Sequence, residues 1–145
     1  MAGYENGDIQ CWETAWRQYS AALGQPRSRL LLSELQYWIR VLRDVSVRQI
    51  SFYPHCCQQV TADECVSLCL LAAHQHQDLP TARGATHWLT GLNPSPAFDL
   101  LLDASSSFAS ALCDADQILL PVPLHLIEHA ATLEGQAQSH MSTKH

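Results

Sequence analysis

Along most of this chain the apolar residues return every three or four positions, the spacing that gathers them on one face of an α-helix. Ile9, Trp12, Trp16, Tyr19 and Leu23 predict a first helix, capped by Asp8 and ended by Gly24 with Pro26. Leu31, Leu35, Trp38, Ile39 and Leu42 form the stripe of a second, from Ser28 to about Val45. Its opposite face carries Arg29, Ser33, Gln36, Arg40 and Arg43.

The segment "VRQISFYP" is β-branched and aromatic, but no second strand-like run exists to pair with it. An extended connector is the expected form, because a lone strand would leave its backbone groups unpaired. "TADE" then reads as a capping box, in which the Thr61 hydroxyl and the Glu64 carboxylate each take the other's backbone N–H. The helix that starts at Ala62 has apolar residues nearly all the way round, with only Ser67 and His74 on a polar strip. This predicts a largely buried, central helix.

Asp78 to Gly91 predicts a short helix with Pro80 in its first turn and Ala82, Ala85, Trp88 and Leu89 facing inward. Ser95 and Pro96 open another, with Phe98, Leu101, Phe108 and Leu112 on one face. "LLPVPL" interrupts the helical pattern, since two prolines one residue apart cannot sit inside a regular helix. A last short helix is expected from His125 to Leu133, stopping near Gly135, and the polar stretch 136–145 reads as a frayed, flexible tail. The sum is an all-α, bundle-like fold of five or six short helices with one extended connector, a single domain over 1–135.

With 145 residues, 47% hydrophobic and 15% charged, the chain is long enough to bury one core without disulfide or metal support. The polar, acidic start "MAGYENGDIQ" shows no secretory signal, and the apolar runs are too short to span a bilayer. A cytoplasmic protein with no membrane contact and with reduced thiols is therefore expected. Charge is uneven: residues 1–48 hold six arginines against five acids, whereas residues 49–143 hold Arg83 against nine. No basic run concentrates phosphate-neutralising charge, which argues against nucleic-acid binding.

The stretch "HCCQQVTADECVSLCLLAAHQH" holds four of the six cysteines. Cys65, Cys69 and His76 fall on one side of the predicted helix, and His55, Cys56 and Cys57 lie just before it. Thiolates and an imidazole in that arrangement suit tetrahedral zinc or a redox-responsive centre. Against this, the stretch contains no C-x-x-C pair, and Cys65 and Cys69 sit where small core residues belong. Buried core thiols, with no cofactor, are the favoured reading.

"HLIEH" matches the H-x-x-E-H pattern of inverted zinc proteases, in which His125 and His129 would bind metal and Glu128 would activate water. The chain offers only Glu134 downstream as a further ligand, so a short surface helix is preferred to a hydrolase. No phosphate-binding loop, nucleophile elbow or cofactor fingerprint appears.

These readings converge on a non-catalytic accessory or adaptor protein that contacts a protein partner or a second copy of itself. Two surfaces are candidates. Arg29, Arg40 and Arg43 suit an acidic partner, and Leu119, Leu120 and Leu124 are kept off a regular buried helix by Pro121 and Pro123. The alternative is the metal- or redox-responsive protein built on the His55–His76 cluster.

Overall fold

The computed structural model describes residues 9–51 and 59–142, and these form six helices and no strand. In chain order they are α1 (Ile9–Leu23), α2 (Gln25–Val45), α3 (Ala62–Gln75), α4 (Leu79–Thr90), α5 (Pro96–Asp114) and α6 (Leu124–Ser142). The all-helical fold follows the apolar periodicity directly. Asp8, the expected first cap, lies outside the described residues.

Helix α3 is the central element, packed against α4, α5 and α6. Val66, Leu70, Leu71, Ala72 and Ala73 are buried on it, so nearly its whole circumference faces protein. Ser67 departs from expectation: it too is buried, because its hydroxyl donates back to the Asp63 carbonyl at 2.8 Å and needs no water. The residue that does face solvent is Leu68.

Helix α2 lies on the other side of α5. Trp38 is the key to that contact, its indole N–H donating to Ser105 Oγ at 2.9 Å while its ring lies 6.0 Å from that of Phe108. Ser105 in turn donates to the Leu101 carbonyl at 2.7 Å, so the buried polar pair is satisfied without solvent.

Several boundaries differ from the sequence reading, each for a local reason. Gly24, at φ +80°, is a single-residue joint between α1 and α2, and Pro26 opens α2 in its first turn where the sequence reading makes it a terminator. Helix α6 runs through Gly135 to Ser142 and does not stop at Leu133. A glycine weakens a helix by about 1 kcal/mol but ends it only where the backbone turns left-handed.

The connector after α2 makes no strand among the described residues. Its Val47 N–H is satisfied by the Thr90 carbonyl at 2.9 Å, and Ser51 is tied to the start of α3 through Thr61 Oγ1 and Asp63. Gly91, at φ +72°, ends α4 beside it, and a Cβ there would lie 3.1 Å from Val47 Cγ2. No helix among the described residues is long and apolar enough to cross a membrane.

Candidate functional site

Helices α3 and α5 end in the same way. In each, the residue after the cap takes the left-handed conformation, Gln77 at φ 59° and Asp116 at φ 58°. The chain then folds back so that the Asp78 N–H reaches the Ala73 carbonyl at 2.8 Å and the Gln117 N–H reaches the Leu112 carbonyl at 2.8 Å. These are Schellman endings made without glycine. They leave the last turn of α3 beside the chain leaving α5, which is the start of the proline segment.

That segment, Gln117 to Pro123, has no turn or bend, as two prolines with fixed φ and a restricted residue before each require. It is held by side chains of α3. Gln75 donates to the Gln117 carbonyl at 2.8 Å and accepts the Leu119 N–H at 2.7 Å. His76 Nε2 meets the Leu119 carbonyl at 2.8 Å, and the Cys69 thiol donates to the Val122 carbonyl at 3.1 Å. The backbone groups that face the helix are thus satisfied without a partner strand.

Fixed in this way, the segment leaves every side chain but that of Leu119 exposed. Ile118, Leu120 and Val122 are 60%, 83% and 40% exposed. Leu119 and Leu124 are instead half-buried against the core. Of the three leucines expected to form a surface, then, only Leu120 projects fully. Leu124 packs so closely on α4 that a Cβ on Gly84 would come within 2.8 Å of its Cδ2.

Beneath the segment is a cleft of about 290 Å³ whose lining includes Cys69, His76, Asp78, Thr81, Val122 and His125. Burial, and then the charge of Asp78, pushes the Cys69 thiol up from its ordinary range, so it stays protonated and serves as a donor. Hydrogen bonding from Thr81 holds the Asp78 carboxyl below the usual range. The cleft therefore offers one carboxylate and two imidazoles, and its thiol is turned to a carbonyl.

Of the residues of the zinc reading, Cys69 and His76 line the same cleft and Cys65 stands apart. Cys69 faces this cleft, while Cys65 lines a different, apolar groove of about 190 Å³ with Val60, Leu126, Ile127 and Ala130. His76 is exposed at the end of α3 and bound to the Leu119 carbonyl. His55, Cys56 and Cys57 lie outside the described residues. Among the described residues no three His, Cys, Asp or Glu side chains gather to hold a metal ion.

His125, Glu128 and His129 are all exposed on α6, and only His125 reaches the cleft. On α2, Arg29, Arg40 and Arg43 point to solvent as expected, with Arg43 Nη2 3.2 Å from Asp44. The residue that sequence reasoning missed is Gln75, which makes two of the four hydrogen bonds from α3 to the segment. Its signal was slight: a long amide at the end of an otherwise apolar helix.

Compared with protein-family models, with curated proteins and with solved structures, the chain matches none.

Proposed function

We propose that this protein is a non-catalytic accessory or adaptor that works through protein–protein contacts, with the proline segment as its principal contact surface. The observation that carries the reading is the outward row Ile118, Leu120 and Val122 on a backbone tied down by Gln75, His76 and Cys69. Large apolar side chains exposed on a fixed support cost little ordering entropy when a partner covers them. Loops ordinarily lack that advantage.

Two further observations favour contact over catalysis. The Cys69 thiol is kept protonated and turned to a carbonyl, the opposite of an activated nucleophile. The histidines of "HLIEH" stand exposed along α6 with no third ligand among the described residues. The Arg29, Arg40 and Arg43 face is a separate contact, suited to carboxylates.

Light scattering and a pull-down with the tagged chain test this. The expected result is self-association or a specific partner that is lost in Leu120→Asp, with the unfolding midpoint unchanged. A monomer whose retained proteins are identical before and after that substitution would refute the reading.

A further inference from the structure

From Gln117 to Leu119 the bonds to α3 fall on alternate residues, and the next carbonyl held is that of Val122, three residues further on. The Gln117 carbonyl and both main-chain groups of Leu119 face α3, where Gln75 and His76 meet them. In an extended chain the N–H and C=O of one residue point to one side and those of the next residue to the other. The N–H and C=O groups of Ile118 and Leu120, residues that are 60% and 83% exposed, take part in none of these bonds to α3. Those groups have no hydrogen-bond partner among the described residues. Pro121, which lacks an N–H, closes the edge after Leu120.

This is a short extended edge whose inner side is completed by side chains and whose outer side is open. Acidic groups bracket it: Asp114 and Asp116 precede it, and Asp78 lies in the cleft beside Pro121 and Val122. Arg27 lies 3.6 Å from Asp116 in a solvent-exposed pair. A second copy of the chain would bring the same negative charge to the edge, whereas a basic partner would complement it.

We infer that Ile118 to Leu120 is a β-augmentation edge, on which an extended segment of another protein pairs main chain to main chain. The recognised segment alternates apolar residues, which cover Ile118 and Leu120, with Lys or Arg facing the surrounding carboxylates. This deepens the adaptor reading and rests on it: the surface is the same, and the mode of recognition and the partner's chemistry are added.

The test is a randomised peptide library displayed on phage and selected against the full chain. Enriched peptides should alternate apolar and basic residues. Synthetic versions should lose about tenfold in affinity when N-methylated at alternate backbone positions, the mark of a main-chain ladder. Leu120→Pro, which removes one N–H and keeps an apolar side chain, should weaken them similarly. Because that substitution can shift the segment, the N-methyl scan on unaltered protein decides. Peptides that bind as helices, or that tolerate N-methylation throughout, overturn strand pairing while leaving the adaptor reading intact. So does a selection in which no peptide distinguishes the unaltered chain from Leu120→Asp. The pull-down then judges the adaptor reading separately.

Discussion

Arg48 Nη2 sits 3.1 and 3.2 Å from the two carboxylate oxygens of Asp63, whose side chain is only 4% exposed. The same carboxylate accepts the Ser51 N–H at 2.6 Å and the Trp88 indole N–H at 3.1 Å. One buried group thus fastens the connector, α3 and α4 together, and the first turn of α3 is a favourable place for a negative charge. Asp63→Ala strands all of these donors and should cost about 3 kcal/mol. Asp63→Asn, which keeps an acceptor, should cost less. Urea midpoints check this, and equal losses for the two would assign the effect to packing instead.

At the same helix start, both bonds of the capping box are present, 3.1 Å from the Glu64 N–H to Thr61 Oγ1 and 2.7 Å from the Thr61 N–H to Glu64 Oε2. Thr61 Oγ1 also donates to the Ser51 carbonyl at 2.7 Å. Thr61→Ala should destabilise by about 1 kcal/mol, and Thr61→Ser, which keeps the hydroxyl, should recover most of it. If the denaturation curves of wild type and Thr61→Ala coincide, the cap is not holding the helix.

Gln77 and Asp116 accept left-handed backbone that glycine would adopt without strain. Gln77→Gly and Asp116→Gly should therefore each raise stability, by up to about 1 kcal/mol. Alanine at the same positions should bring no such gain. Thermal denaturation separates these outcomes, and destabilisation by glycine would show that the side chains matter more than the backbone.

His74 predicts a pH dependence. Its Nε2 is buried without a hydrogen-bond partner among the described residues, and burial pulls its pKa below 6.5, opposed only in part by the charge of Asp103. The folded chain then binds fewer protons at this site than the unfolded chain does, so stability rises with pH across the window between the two values. The contribution is complete above 6.5 and falls away as the pH drops below it. Unfolding at pH 7.5 and 5.5 should show a loss at the lower pH that His74→Gln reduces. A slope unchanged by the substitution would point to other groups.

Cys69, buried and held to the Val122 carbonyl, should resist alkylation in the native state far longer than after denaturation. Peptide mapping by mass spectrometry reads this residue by residue. Rapid native labelling of Cys69 would mean that the proline segment lifts from α3.

Much of the fold is written in short-range pattern. Periodicity places five or six helices because an apolar stripe must be buried, and caps such as "TADE" and Ser95 act within four residues of themselves. Solvation of single residues was less legible. Ser67 is buried and Leu68 exposed because neighbouring helices, not the helix's own pattern, decide which strip is left uncovered. The helix through Gly135 and the joint at Gly24 likewise depend on what surrounds a glycine as well as on its identity.

The candidate surface was visible in the sequence only as a break: two prolines that forbid a helix. Which leucines face outward was decided by tertiary structure, through Gln75, His76 and Cys69, which lie 42 to 53 positions away from the carbonyls and N–H they hold. The Arg48 and Asp63 pair, 15 residues apart across a connector, was equally invisible. Hydrophobic burial is carried by residue type and spacing, so one chain's sequence displays it. A hydrogen bond needs two groups at one distance and angle, and only the folded chain supplies those.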